Sequence, residues 1–343
     1  MIISFNTGKI ETKGGGNLQQ KKVTVTENGL DVIVPDAGYD GFSTVYVKTN
    51  VGEGGSSYKD FSIIGYDDET SIMLNNEIDD DIAYSKSLYD AWNPENTSAK
   101  GLYQNDTKLV YAPAIDISNV NDLSNLFNGC TNLTYVPKYT LPNIKTCAYA
   151  FKGCERLQSI DVTDWKLGEF PNTQTSISEL FNGCRNLTEI KGIEDWDVSK
   201  IDALVYVFNG CKSLTRLDLS KWKPTGLFTI ATFANGCDNL TYLDISGFDL
   251  SNLTNHNSSF PTTNNFTDLK YGYNLKMSVT LFQYCKGLNV NSLLSILNGL
   301  YDFTGNGETP TSSQGKLTLG STNLAKLSDE QKAIATDKGW TLS

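Results

Sequence analysis

Apolar positions in the middle of the chain recur in a fixed local order. Leu157, Ile160 and Val162 form one set, Leu214, Leu217 and Leu219 a second, and Leu240, Leu243 and Ile245 a third. Within each set the last two apolar residues flank a polar one, as a strand with one buried face requires. An aromatic residue closes the strand: Trp165, Trp196, Trp222 or Phe248. The segment Asp197-Val198-Ser199-Lys200-Ile201-Asp202-Ala203-Leu204 then matches Asp116-Ile117-Ser118-Asn119-Val120-Asn121-Asp122-Leu123 position by position. Ser199 with Asp202 reads as a helix-start box. Ile201, Leu204 and Phe208 fall on one helical face. Each unit is therefore expected to be a strand plus a short helix. Neither half can bury its apolar side alone, so the units must stack on one another.

A second motif marks the units. It reads Leu126-Phe127-Asn128-Gly129-Cys130, Ala150-Phe151-Lys152-Gly153-Cys154, Leu180-Phe181-Asn182-Gly183-Cys184 and Val207-Phe208-Asn209-Gly210-Cys211. Phe233-Ala234-Asn235-Gly236-Cys237 carries one extra residue, and Leu281-Phe282-Gln283-Tyr284-Cys285 is degenerate. The cysteines are 24, 30, 27 and 26 residues apart, and the last interval is 48. A period in the twenties is that of leucine-rich repeats. The expected fold class is α/β: a leucine-rich-repeat solenoid over residues 115–288, with a small N-terminal all-β module and a C-terminal cap. The long last interval predicts an insertion near 251–274 that loops off one face.

The flanks read differently. Val23–Val25, Leu30–Val34 and Phe42–Val47 alternate as strands, separated by turn signals at Glu27-Asn28-Gly29 and Asp36–Gly41. This gives a β module at 21–51, preceded by an arm at 1–20 that contains Gly14-Gly15-Gly16. A Gly/Ser linker at 52–59 follows, then a flank of the solenoid at 60–114. In the cap, 289–343, Val290–Leu300 has helical spacing and Lys316–Leu319 reads as a strand. Ser328 with Gln331 forms a capping box, Gly339 stops that helix, and Trp340–Leu342 is a last short strand.

Composition narrows the chemistry. The net charge is −11, the sequence pI is about 4.7, and only Arg156, Arg185 and Arg216 are arginines. A nucleic-acid partner is not expected, because phosphates are held by clustered cations. No run of apolar residues reaches membrane-spanning length. Residues Met1–Lys9 lack the basic and apolar regions of a signal peptide, so the ordinary secretory route is not expected.

Most chemistry-bearing residues read as structural. The seven cysteines show no metal-type spacing, and Cys130, Cys154, Cys184, Cys211, Cys237 and Cys285 share one repeat position. They read as buried small apolar residues, with Cys147 outside that column. Asp67-Asp68-Glu69 and Glu77–Asp81 lack the pattern of a calcium loop. Asp161, Asp218 and Asp244 recur at one repeat position, which suits a structural ladder better than a catalytic carboxylate pair. His256, the single histidine, reads as a surface-loop residue. Trp165, Trp196 and Trp222 could stack on carbohydrate but fit packing better. Exposed Tyr and Asn of the repeats, and the 251–274 segment, are the better ligand-contact candidates. No catalytic, cofactor-binding or metal residues are expected, and the chain is read as a non-enzyme.

The run from Asp-Val-Ser through Phe-x-Gly-Cys to Leu-Thr-x-Leu-Asp-Leu-Ser-x-Trp closely resembles the BspA-like leucine-rich-repeat family over about Ile115–Leu288. Leu, Ala or Val here replaces the Met that often precedes Phe in the family. Tyr39-Asp40-Gly41 with Val45-Tyr46-Val47 resembles a module of phage structural proteins and some gut-bacterial surface proteins. The resemblances imply a bacteriophage virion component — a fibre, tail or head-decoration protein — that adheres to a host protein or glycan through its repeats. They also imply docking to other virion proteins through the N-terminal region and homo-oligomerisation, with a trimer as one form. A bacterial cell-surface adhesin is the alternative, and a glycan-degrading fibre enzyme is a third reading.

Overall fold

The computed structural model describes residues 91–170 and 175–343, with Tyr84, Ser87 and Leu88 and the backbone of seven strands within the first 75 residues. Successive repeats are joined by parallel pairing. Strand β8 (Leu141–Ile144) pairs with β10 (Trp165–Leu167), and β9 (Ser159–Asp161) with β11 (Glu189–Lys191). Strand β12 (Arg216–Asp218) pairs with β13 (Tyr242–Asp244), which pairs with β14 (Asp268–Lys270). A second column of single bridges links Ser98, Asp122 and Thr146, and another links Ala203, Thr229 and Asn255. The strand centres alternate with polar residues as expected. Ile160, Ile190, Leu217, Leu243 and Leu269 are all buried, and of the residues flanking them only Asp244 is buried too.

The second half of each repeat departs from the expected short helix. Asp197 Oδ1 accepts the Ser199 amide at 3.0 Å, and Ile201 N donates to Val198 O at 2.9 Å. The result is a tight turn, and Ala203 then bridges to the next repeat. The Asp–Ser spacing suits a turn closed by the carboxylate, which competes with helix formation at that point. Asp116 and Asp249 close the same turn on Ser118 and Ser251, and Asp122, at the position of Ala203, accepts from Ser124 N in the turn that follows.

Tight turns around the Gly-Cys motif form a further column. Gly129, Gly153 and Gly183 each donate a 2.7 Å hydrogen bond to the following repeat, from N–H to the carbonyls of Lys152, Asn182 and Asn209. Gly210 has φ +72°, and a Cβ there would lie 3.6 Å from the Gly183 Cα. The left-handed backbone at this position is the reason the column is glycine.

Residues 251–274 do not loop out. Phe260 and Phe266 are fully buried, and Leu269 lies in β14, paired to β13. Ala234 N donates to Ser259 O at 2.8 Å, which places Phe260 at the ladder position of Phe208. The long cysteine interval therefore holds one complete repeat that has lost Gly and Cys. Hydrogen bonding between repeats also begins earlier than residue 115: the amides of Ala99, Gly101, Tyr103 and Asn105 donate to Asp122, Ser124, Leu126 and Asn128 carbonyls.

The C-terminal segment closes the stack. Helix α1 (Val290–Asn298) buries Leu293, Ile296 and Leu297, with Asn289 as its N-cap. Ser292 and Ser295 Oγ each accept a 2.8 Å hydrogen bond, from the amides of Leu269 and Tyr271, so the helix satisfies the outer edge of the last ladder strand. Helix α2 (Gly320–Leu324) follows. In α3 (Asp329–Thr336) the Ser328–Gln331 capping box is formed. Strands β15 (Lys316–Leu317) and β16 (Thr341–Leu342) pair in parallel. Lys338 Nζ donates to the carbonyls of Leu297, Asn298 and Leu300 at the end of α1.

The N-terminal backbone is a seven-stranded antiparallel sheet, larger than the expected module. It runs β1 (Ile2–Ser4), β7 (Ser71–Asn75), β6 (Gly55–Asp67), β5 (Thr44–Val51), β4 (Leu30–Pro35), β3 (Gln20–Val25), β2 (Glu11–Lys13) in spatial order. Residues 55–59, expected to be linker, are part of β6. The turns Glu27-Asn28-Gly29 and Asp36–Gly41, the glycines 14–16 and 52–54, and the acidic residues Asp68-Glu69 and Glu77–Asp81 lie outside the described residues. Among the described residues the molecule is a strand-rich repeat structure with a few short helices and no closed barrel.

Candidate binding surface

What the repeats bury is already committed to the fold. Each motif cysteine is fully buried, and its thiol reaches a backbone carbonyl of the preceding repeat. Cys130 Sγ donates to Tyr103 O at 2.9 Å, Cys154 to Phe127 O at 3.2 Å and Cys184 to Phe151 O at 3.0 Å. Cys211 reaches Phe181 O at 3.1 Å and Cys237 reaches Phe208 O at 3.0 Å. In the cysteine-free repeat, Pro261 O accepts from Cys285 at 3.4 Å. The thiols are thus hydrogen-bond donors between repeats as well as packing atoms. The Tyr103, Phe127, Phe151, Phe181 and Phe208 carbonyls each also accept the turn amide three residues on, so the thiol occupies the second lone pair of a carbonyl that is already hydrogen-bonded. Burial pushes the Cys130, Cys237 and Cys285 thiols up to about 12, which keeps them protonated donors. Cys147 stands where Leu123 and Leu204 stand in other repeats, shown by the same amide bond to the next repeat. No three His, Cys, Asp or Glu side chains converge on a metal-sized site among the described residues.

The tryptophans also face inward. Trp165, Trp196, Trp222 and Phe248 stack at centroid separations of 6.2, 6.4 and 6.4 Å with nearly parallel planes. All four are buried, so they form a packing column and no carbohydrate platform. A second column runs Tyr103, Phe127, Phe151, Phe181 and Phe208. In the next repeat Ala234 takes the ladder position of Phe208, and Phe233, one residue earlier, meets Phe208 edge-on at 88°.

The recurrent aspartates fix turns. Asp161 Oδ1 accepts from Thr163 N and Oγ1, and Asp244 Oδ1 accepts from Ser246 N and Oγ. Their other oxygens meet Lys191 at 3.1 Å and Lys270 at 3.0 Å. Partial burial opposes ionisation at both, but these donors outweigh it and hold both carboxyls below the ordinary 3.8. Asp218 is taken by Arg216 at 2.8 Å and by the Ser220 amide. All three carboxylates are thus taken up by a turn donor and a neighbouring cation.

His256 is buried, contrary to the surface-loop expectation, because the segment that carries it is a stacked repeat. Its Nε2 lies 3.4 Å from Ser278 O, and burial lowers its pKa.

The strand ladder is interrupted between β11 and β12, which do not pair. A cleft of about 370 Å³ opens there, lined by Ile190, Ile193, Leu214 and Leu217 with Glu189 and Arg216. The Arg216 guanidinium lies over the Tyr242 ring, 3.6 Å from its centroid.

Residues 97–187 and 175–292 match the model of a family described as "Mycoplasma protein of unknown function, DUF285". These segments cover more than half of the chain. The chain belongs to the DUF285 family. The DUF285 match begins where repeat-to-repeat hydrogen bonding begins and ends at the first turn of α1. It supports the resemblance to BspA-like surface-repeat proteins read from the motif. No curated protein and no solved structure matches the chain. No helix among the described residues is long and apolar enough to cross a membrane.

With the interior assigned, the surface available for recognition in these DUF285 repeats is the outer side chains. One column stands out by its backbone. Gly101, Asn125, Tyr149, Glu179, Tyr206, Thr232 and Ser258 occupy equivalent positions, and all have φ between +52° and +62°. A left-handed backbone costs a residue with a Cβ ~1–2 kcal/mol, with Asn the best tolerated. Sequence reasoning misses this column, because only Gly101 and Asn125 are residue types that announce it.

Proposed function

We infer that the protein is a non-enzymatic adhesive component that presents a leucine-rich-repeat solenoid to a host surface. One observation carries this reading. Thiols, tryptophans, the recurrent aspartates and the histidine are absorbed by packing or turn formation, leaving an outer wall of polar side chains, surface ion pairs and scattered tyrosines along the stack. Recognition by such a wall works through many weak contacts, and multiple copies raise the effective affinity.

The resemblance of Tyr39-Asp40-Gly41 and Val45-Tyr46-Val47 to phage modules favours a virion component, with the N-terminal sheet contacting other virion proteins and further copies of the chain. Family membership in DUF285 favours the second reading, a bacterial surface adhesin. Labelling with antibody against this chain separates the two: decoration of phage particles is expected, and decoration of bacterial cells alone would select the adhesin. Purified protein that fails both to bind host cells and to block phage adsorption would remove the adhesive role. Release of reducing ends from host capsular polysaccharide would replace it with an enzymatic one.

A further inference from the structure

The left-handed column of outward positions can be filled without strain by Gly or Asn, and the first two repeats do so with Gly101 and Asn125. Tyr149 (φ +62°), Glu179 (φ +55°) and Tyr206 (φ +56°) do not. Their side chains contribute little to the core, since Tyr149 and Glu179 are half-buried and Tyr206 is 38% exposed. A strained backbone that holds two tyrosines at the rim of the fold, one half-buried and one exposed, calls for an explanation outside packing.

The neighbouring side chains are ordered as well. Lys152 Nζ pairs with Glu179 Oε2 at 2.6 Å and lies 5.3 Å from the centre of the Tyr149 ring. Asn182 Nδ2 donates to Glu179 Oε2 at 2.8 Å, and Asn209 Nδ2 donates to Asn182 Oδ1 at 2.9 Å. The outcome is a charge-neutral, hydrogen-bonding strip across three repeats with a tyrosine at either end. Tyr149 N donates to Ser178 O and Glu179 N to Val205 O, so the two tyrosines sit two ladder steps apart, about 10 Å. That span is comparable to two linked sugar rings.

We propose that Tyr149 and Tyr206, with the Lys152–Glu179–Asn182–Asn209 strip between them, form a binding site for a neutral oligosaccharide. The tyrosines pack against alternate sugar rings, the first and third of a linear chain, and the strip exchanges hydrogen bonds with the hydroxyls. A protein ligand is disfavoured because the exposed large apolar side chains among the described residues — Leu102, Tyr206, Tyr273 and Tyr284 — are scattered, and no apolar interface centre is present. The proposal rests on the adhesive reading above and gives it a place and a ligand class.

The test uses the full chain with Tyr149→Asn, Tyr206→Asn, the double variant, and Tyr273→Asn as a remote control. Mobility is measured in gels containing a glucan, a mannan or a galactan, alongside binding to host cells and thermal melting. Retardation of the wild type by at least one polysaccharide is expected. Each single variant should weaken it about tenfold, and the double variant should abolish it. The control should match the wild type. The melting temperature of Tyr206→Asn should hold or rise, by about 2–4 °C, as strain is released. Undiminished retardation of the double variant would overturn the site while leaving adhesion standing. Cell binding that depends on the tyrosines, without retardation in any gel, would overturn the ligand class. A wild type that binds neither gels nor cells would overturn both the site and the adhesive role.

Discussion

Cys211 shows how a single atom ties two repeats. Its thiol is buried and donates to the Phe181 carbonyl, so Cys211→Ala removes a hydrogen bond and leaves a small void together. A loss of about 1–2 kcal/mol is expected from urea unfolding. Gly210→Ala should cost a similar amount, about 1–2 kcal/mol, because the backbone there is left-handed. The carboxyls of Asp161 and Asp244 are held below 3.8 in the fold. Their stabilisation is therefore complete above that value and is lost as the pH falls through their lower folded values. Melting temperature followed against pH should drop steeply below about pH 4, and the drop should be shallower in Asp244→Asn, which starts lower at neutral pH. At this scale spacing alone reveals which cysteines are equivalent. It cannot reveal that they donate hydrogen bonds, because the accepting carbonyl belongs to a residue more than twenty positions away. His256 is illegible for a related reason: its polar neighbours suggest a loop, whereas its burial follows from a ladder the local sequence does not show.

Among elements, the strands are legible and the expected intervening helices do not form. Alternation of apolar and polar residues is a local property, so β9, β12 and β13 can be read directly. Spacing at Ile201, Leu204 and Phe208 also fits a helical face, but Asp197 closes a turn on Ser199 before a helix can start. The repeat around Phe260 is hidden because Pro261-Thr262-Thr263 replaces the Asn-Gly-Cys that marks its neighbours. Backbone pairing needs no such marker. The end of the ladder carries a sharper expectation. Ser292 and Ser295 on α1 receive the last strand amides, so the double variant Ser292→Ala/Ser295→Ala strands two buried N–H groups at about 1–3 kcal/mol each. Hydrogen exchange should show early loss of protection at Leu269 and Tyr271, with little change at Leu243.

Across the whole molecule, stability is a sum of repeat contributions and the contacts between neighbours. The two ring columns bridge the break between β11 and β12: Phe181 stacks on Phe208 at 6.1 Å and Trp196 on Trp222 at 6.4 Å, although the two strands do not pair. All seven cysteines are free and buried, and the inter-repeat links made by the six of the motif column are hydrogen bonds of the thiol. The melting temperature should therefore be the same with and without dithiothreitol, and maleimide should label the cysteines only after unfolding. A chain cross-linked this way is indifferent to the redox state around it. It can be assembled in a reducing cell interior and then serve in an oxidising medium, with no bond to be made or broken on the passage between them.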